Sequence, residues 1–157
     1  MTGPRPVASA SPGGAIALRA SFQRWRELMK RNGRLLVQGV ASTLANEIHS
    51  GGKYSPGTPI KTGFHRANWA AGIDSAPIGV SVGESLLANP GATLDQMQAK
   101  ARDLEVGQTW IASNSGPAIG RLEFDGWSQQ APDGFVRPAA RAIQQIVDEV
   151  GAHLESK

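Results

Sequence analysis

The chain contains no cysteine, few aromatic residues and no apolar run long enough to cross a bilayer. Without cysteine it has no disulfide scaffold, no thiolate metal site and no cysteine nucleophile. Arg5 near the start is not followed by an apolar stretch, so neither a secretory signal nor a membrane partner is predicted. With 157 residues and 40% hydrophobic content, the sequence predicts a globular domain with one sizeable core.

The sequence also lacks a recognisable catalytic pattern. Its three histidines, His49, His65 and His153, are far apart and have no metal-ligand spacing, so each is interpreted as an ordinary surface or boundary residue. The Gly-rich stretch 51–63 lacks the Lys-Ser or Lys-Thr ending of a phosphate-binding loop and is interpreted as an assembly loop. We therefore predict neither an enzyme nor a cofactor, although an unrecognised enzyme site stays an alternative.

The charge is unevenly distributed along the chain. Residues 1–70 carry a net charge of +8 and residues 71–157 a net charge of −5, which together give +3. The basic part of one copy could pair with the acidic part of a neighbour in a head-to-tail arrangement, which can close into a ring. Alternatively, the two halves neutralise each other within one monomer.

Hydrophobic periodicity predicts an α+β fold, with a small antiparallel sheet packed by a long N-terminal helix and a C-terminal helix. Residues 1–14, rich in Pro, Gly, Ser and Ala, are expected to form a flexible arm, and residues 15–157 a single domain. The predicted helices are 15–50, a helix at about 93–105 N-capped by Thr93, a short hook at 118–124, and a last helix starting near Phe135 or Val136. The predicted strands are 66–74, 77–83 and 107–113, the first two forming a hairpin.

The first and last helices carry the clearest apolar stripes. Every spacing in the last helix is three or four, through the positions Val136, Ala140, Ile143, Val147, Val150 and Leu154. In the first helix the stripe comprises Phe22, Trp25, Met29, Leu36, Val40, Leu44 and Ile48. A basic cluster accompanies it, which could contact nucleic acid or a protein partner, or lie in solvent.

Two side chains near the hook receive specific predictions. Glu123, at the end of the hook, could accept hydrogen bonds from the backbone or from Arg121 or Arg137. Trp127 lies in a polar loop, where a tryptophan either folds back as a core plug or anchors an interface. The core plug is the favoured interpretation.

Two segments carry a resemblance to a known family. The first runs from the turn Asn114-Ser115-Gly116-Pro117 through Leu122-Glu123 to a Ser-x-Gln-Ala-Pro-x-Gly loop and Val136-Arg137. The second is Thr58-Pro59-Ile60-Lys61-Thr62-Gly63, followed by Arg66-Ala67-Asn68-Trp69. In this order they resemble the tail-completion, or neck, proteins of long-tailed bacteriophages. The resemblance covers roughly residues 15 to 155.

The resemblance implies a structural virion protein of the phage neck, assembled in the host cytoplasm. Its expected partners are further copies of itself in a ring, by analogy a hexamer, the tail tube protein, and a head-closure or connector protein. A tail terminator that caps the tube and a nucleic-acid-binding protein that uses the basic first helix are the alternatives. The candidate contact residues are Arg24, Arg26, Lys30, Arg31, Arg34, Tyr54, Lys61, Arg66, Trp127, Gln130, Asp148 and Glu149.

Overall fold

The computed structural model describes residues 12–60, 63–77 and 91–156. The chain divides into two compact units, Met1–Asn32 and Gly33–Lys157. In chain order the elements are α1 (Pro12–His49), α2 (Phe64–Ala67), β1 (Trp69–Ile73), α3 (Gly91–Arg102), β2 (Trp110–Asn114), α4 (Ile119–Phe124), α5 (Val136–Arg141) and α6 (Ile143–Glu155). No helix within the described ranges is long and apolar enough to span a membrane.

The first helix begins at Pro12, three residues earlier than predicted. Residues 1–11 of the predicted flexible arm lie outside the described residues. The helix ends where the sequence indicates, because Gly51 adopts a φ of 86° and its nitrogen donates to the carbonyl of Asn46 at 3.1 Å. A positive φ at the residue after a helix is a common way to end it.

The sheet consists of β1 and β2, which pair antiparallel with Trp69 opposite Asn114 and Ile73 opposite Trp110. Strand β1 begins later than predicted, because residues 64–67 form the helical turn α2. The side-chain amide of Asn68 donates through Nδ2 to the carbonyl of Phe64 at 2.8 Å and closes that turn. From residue 78 onward, the strand predicted at 77–83 and its hairpin lie outside the described residues.

Helix α3 begins at Gly91, so the predicted N-cap at Thr93 is wrong. The side chain of Thr93 is fully buried together with Met97 and Ala101, one to two helical turns further on. These three residues form the inner face of α3, which contacts β1. Thr93 therefore faces the core, and no described residue hydrogen-bonds its hydroxyl.

The predicted last helix is in fact two helices separated at Ala142. Ala142 has φ −87° and ψ 3°, which departs from helical geometry. The faces of α6 are therefore rotated from the positions they would have in the single continuous helix that the spacing predicts. As a result Ala139, Ala142 and Ile146 are buried, whereas Val136 and Ile143 are exposed. Two positions of the predicted apolar stripe, Val136 and Ile143, therefore lie outside the buried core.

The core is formed by α1, the sheet and the C-terminal helices. Trp69 and Phe135 meet edge to face, with ring centroids 6.2 Å apart, beside Ala45, Ile48 and Met97. Helices α1 and α6 approach closely at Gly39, where a Cβ would lie 2.6 Å from Val150. The predicted α+β class, a small antiparallel sheet packed by a long N-terminal and a C-terminal helix, is confirmed.

Candidate functional site

The two segments that carry the resemblance lie side by side in the fold. The side-chain amide of Gln130 hydrogen-bonds the backbone of Ile60 in both directions. The Ile60 nitrogen donates to Oε1 at 2.8 Å, and Nε2 donates to the Ile60 carbonyl at 2.9 Å. A side-chain amide that both donates to and accepts from one backbone residue forms the same pair of hydrogen bonds as a neighbouring β-strand residue. Gln130 therefore fixes the loop after α4 to the loop before α2.

The segment from Thr58 to Trp69 is held by the hydroxyl of Thr58. This hydroxyl donates to the carbonyl of Ile48 at 2.6 Å and accepts from Nε1 of Trp69 at 2.7 Å. Arg66 Nε donates to the carbonyl of Thr58 at 3.1 Å. Burial lowers the pKa of Arg66 from its ordinary value. The Thr, Arg and Trp of the motif therefore form one network at the end of α1.

Asn114, at the end of β2, joins the second segment to the first. Its Nδ2 donates to the carbonyl of His65 at 2.6 Å, and its Oδ1 accepts from the nitrogen of Gly116 at 2.9 Å. A Cβ at Gly116 would lie 2.5 Å from Nδ1 of His65. The Asn-x-Gly spacing thus allows the turn to pack directly against His65.

Glu123 organises the start of α5, as its position predicts. Its buried carboxylate accepts from the backbone nitrogens of Phe135, Val136 and Arg137 at 2.8 to 2.9 Å. Arg137 Nε adds an ion pair at 3.2 Å, so the prediction that backbone and an Arg bond Glu123 is confirmed. The N–H groups in the first turn of a helix have no acceptor within the helix, and a carboxylate that accepts from them satisfies these donors. Arg121, the other predicted partner, lies instead over the ring of Trp127.

Glu47 does the same for the loop after α1, and the sequence analysis missed it. The carboxylate is buried and accepts from the backbone nitrogens of Lys53, Tyr54 and Ser55 at 2.8 to 3.0 Å. The available signal was an acidic residue in the last turn of a helix, where the helix dipole disfavours negative charge. An acid in that place needs a compensating partner, and the loop amides provide one.

Between the two segments lies a hollow of about 680 Å³, here called the two-loop hollow. Trp127 at its rim is 61% exposed, so the favoured interpretation as a core plug is wrong. The loop that carries it is fixed at Gln130 by the contact with Ile60. The hollow is lined by Pro59, Ile60, Gly63, Phe64, His65, Ala118, Leu122, Trp127, Ser128, Gln129 and Gln130.

His65 is the titratable group in the wall of the two-loop hollow. Its Nδ1 is buried and has no hydrogen-bond partner among the described residues. Burial lowers the pKa of His65 below its ordinary value. The ring is therefore held in its neutral form near pH 7. His49 also departs from the prediction of a surface or boundary residue: it is buried, and its Nδ1 lies 2.8 Å from the hydroxyl of Ser50.

Two predicted contact residues, Tyr54 and Glu149, meet on the surface. The hydroxyl of Tyr54 donates to Glu149 at 2.7 Å, and Lys53 forms an ion pair with the same oxygen. The hydrogen bond from Lys53 lowers the pKa of Glu149, and the same contact raises the pKa of Lys53. Glu149 is therefore already paired within the chain. Asp148 hydrogen-bonds only Gln144 of its own helix within the described residues.

The basic candidates on α1 are dispersed and exposed. Lys30 pairs with Glu27 at 3.5 Å and Arg34 with Glu105 at 3.2 Å. Arg24, Arg26 and Arg31 form no ion pair with any described residue. The candidate Lys61 lies outside the described residues. The structure thus brings Arg66, Trp127 and Gln130 to the motif region.

Large apolar side chains lie among those basic residues. Phe22, Trp25, Leu28 and Met29, here called the α1 apolar face, are each at least half exposed. Soluble monomers seldom expose large contiguous apolar surface, and such surface usually binds another molecule. The predicted stripe of the first helix is therefore buried only in its second half, where Ile48 belongs to the core.

Within residues 12–60, 63–77 and 91–156 there is no group of three or more His, Cys, Asp or Glu that could hold a metal ion. The features that stand out are instead two buried carboxylates that shape loops, an open hollow between two motif segments, and an exposed apolar helix face. Comparison of the sequence with family models and with curated proteins, and of the fold with solved structures, gave no match.

Proposed function

We propose that this chain is a structural protein of a phage neck, which forms a ring that joins or completes the tail at the head–tail interface. Its partners are further copies of itself, with six as the expected number, the tail tube protein and a head-closure or connector protein. The place of action is the virion. A tail terminator, which caps the tail tube, is the alternative within the same class.

The observation that carries the proposal is the bidentate contact between Gln130 and Ile60. Each of these residues belongs to one of the two segments that resemble neck proteins, and the two residues lie 70 positions apart in the sequence. Two short resemblances that were unrelated in space would be weak support. Their direct contact supports the view that they form one surface.

The character of the exposed residues also supports assembly. Trp127 and Ile60 at the two-loop hollow and the α1 apolar face are large apolar groups held in solvent. Exposed aromatic residues are typical anchors of protein interfaces. Glu123 and Gln130 give the loop that carries Trp127 a fixed path, which reduces the entropy lost when a partner binds.

The test is to add the purified protein to purified tail tubes and to measure which fraction sediments with the tubes. Electron microscopy of the tube ends then locates it. We expect density confined to tube ends, with a rotational symmetry that can be counted. Trp127→Ser should weaken this binding at least tenfold, because a buried aromatic anchor contributes about 2 kcal/mol or more. Phe124→Ser, which removes another exposed aromatic side chain, is the matched control.

Two results would contradict the proposal. One is the absence of the protein from the tube ends at every concentration tested. The other is binding along the whole length of the tube, which would indicate a sheath or decoration protein. If Trp127→Ser and Phe124→Ser weakened binding to tail tubes equally, the two-loop hollow would not be the surface that contacts the tube.

A second candidate function is nucleic-acid binding by α1, favoured by the unpaired charges of Arg24, Arg26 and Arg31 among the described residues. Phosphate contacts of this kind weaken steeply as salt rises. Titration of duplex DNA at two salt concentrations tests this candidate. Binding that is lost when these three arginines are replaced by glutamine, in a protein that ignores tail tubes, would favour it over the neck function.

A further inference from the structure

The α1 apolar face occupies one side of its helix. Spacings of three and four residues place Phe22, Trp25, Leu28 and Met29 within about a third of the helix circumference. Arg24 and Arg31 border this face on one side, and Arg26 and Lys30 border it on the other. All eight side chains are exposed. The face is therefore an apolar strip between two basic edges.

A second apolar surface lies within the unit Gly33–Lys157. Two hollows of about 260 and 200 Å³ share Leu44 and Trp110 and so form one continuous depression, here called the α1–α6 groove. Val147 and Ile143 of α6 belong to its lining, because the break at Ala142 turns Ile143 away from the core. The groove is lined mainly by Val37, Val40, Leu44, Leu104, Trp110, Ala112, Val136, Ala140, Ile143 and Val147.

The charge that α6 carries beside the groove is opposite to that of the two basic edges of the α1 apolar face. Helix α6 contains Asp148, Glu149 and Glu155 and no Lys or Arg. Asp148 follows the groove residue Val147, and neither Asp148 nor Glu155 forms an ion pair with any described residue. The described residues 12–32 carry five Lys or Arg and one acidic residue. Charges left unpaired on both surfaces would be paired if the surfaces met.

We infer that the α1 apolar face of one copy lies in the α1–α6 groove of a second copy. This inference deepens the proposed function, on which it rests for the presence of several copies. A contact between two different surfaces is heterologous, so each copy gives one helix face and receives another. Repetition of the contact closes a ring when the rotation between copies allows it.

Self-pairing of two α1 apolar faces is disfavoured by charge, because it would bring two basic edges together. The size of the contact suits a repeated interface. Phe22 and Trp25 alone would bury about 300–500 Å² if fully covered, and a standard interface buries about 800 Å² on each partner. The four apolar residues and the flanking basic side chains together can approach that area.

The test uses two full-length variants, each with one surface damaged. The face variant is Trp25→Glu, and the groove variant is Ile143→Glu; both replace exposed side chains. Molecular mass is measured by sedimentation over a wide concentration range. We expect wild type to self-associate, both variants to be monomers, and their equimolar mixture to form a complex of two chains. The mixture retains one intact face and one intact groove, so a heterologous contact survives once.

Three controls keep the result interpretable. Far-ultraviolet circular dichroism establishes that each variant is folded, and Phe124→Glu, an exposed aromatic position outside both surfaces, should associate as wild type does. Asp148→Lys, which is exposed and outside the core, should weaken association at least threefold at low salt and less at high salt. It therefore tests the groove even if Ile143→Glu fails to fold.

Several outcomes would overturn the inference. They are a wild type that stays monomeric at every concentration, a groove variant that associates as wild type does, and folded variants that do not combine. Binding of monomers to duplex DNA or to anionic vesicles, lost in Trp25→Glu, would assign the α1 apolar face to that partner instead. Self-association by complementing variants without any binding to tail tubes would refute the proposed function and leave the inference intact.

Discussion

The Glu123 carboxylate and Arg137 contact each other twice, through the backbone nitrogen of Arg137 at 2.9 Å and through its Nε at 3.2 Å. Glu123 also accepts from the nitrogens of Phe135 and Val136, so one buried side chain holds the whole entry into α5. These contacts connect the resemblance motif to the core, because Phe135 packs on Trp69.

Replacement of Glu123 by Ala should therefore destabilise the fold strongly. The change leaves three backbone donors and part of Arg137 without their acceptor, and each buried donor that loses its partner costs about 1–3 kcal/mol. Glu123→Gln keeps one acceptor oxygen and should cost about 1–3 kcal/mol. Urea unfolding gives both values. Glu155→Gln, an exposed control, should stay within about 0.5 kcal/mol of wild type. Equal losses for Glu123→Ala and the control would contradict the role of Glu123.

Gly134 and Gly107 form a matched pair, because both have a positive φ, 83° and 95°, but different surroundings. A Cβ at Gly134 would lie 2.6 Å from the carbonyl oxygen of Glu123, whereas a Cβ at Gly107 would meet nothing within 4 Å. Gly107→Ala should cost only the left-handed strain, about 1–2 kcal/mol. Gly134→Ala should cost clearly more. If Gly134→Ala and Gly107→Ala lowered the unfolding free energy equally within error, the proposed clash with the Glu123 carbonyl would be excluded.

Thr58→Val should destabilise the end of α1 more than Thr58→Ser. Valine keeps the shape but removes the hydroxyl, so Nε1 of Trp69 loses its acceptor and the carbonyl of Ile48 loses its donor. An unsatisfied buried group costs about 1–3 kcal/mol. Serine keeps both hydrogen bonds and loses only a methyl group, which is worth about 1 kcal/mol. The result that would contradict this account is a larger loss for serine in thermal unfolding.

The stability contributed by His65 should depend on pH. Because burial lowers its folded-state pKa, the unfolded chain binds more protons as the pH falls below the ordinary value of about 6.5. Wild type should therefore lose stability relative to His65→Gln between pH 7.5 and pH 5. Urea unfolding at several pH values measures this difference. A difference between wild type and His65→Gln that stays constant from pH 7.5 to pH 5 would contradict this account.

The sequence predicted those parts of the fold that depend on local chemistry. Gly51 ends α1 and the turn at 114–117 ends β2, both as expected. In each case residues close in sequence are sufficient to determine the conformation. The α+β class also follows from the apolar periodicity of the helices.

The predictions that the structure contradicts failed where tertiary contacts decide. The break at Ala142 is invisible in a regular three- and four-residue spacing, and it exchanges Ile143 for Ile146 in the core. The partners of Glu47 lie six to eight residues further on in a loop without a defined period. Trp127 is exposed, and its loop is held at Gln130 by a contact that spans 70 residues of sequence. None of these relationships leaves a local pattern.

Because Glu47 binds only main-chain nitrogens among the described residues, the backbone conformation of the loop after α1 does not depend on which side chains the loop carries at the positions that Glu47 holds. The carboxylate accepts hydrogen bonds from the main-chain nitrogens of residues 53–55, and the side chains of Lys53 and Tyr54 are not involved in these bonds. Their replacement should leave the loop in place while changing what a neighbour meets. Such a loop can diverge rapidly at its surface while its scaffold is retained, which would let one fold adapt to a succession of different partners.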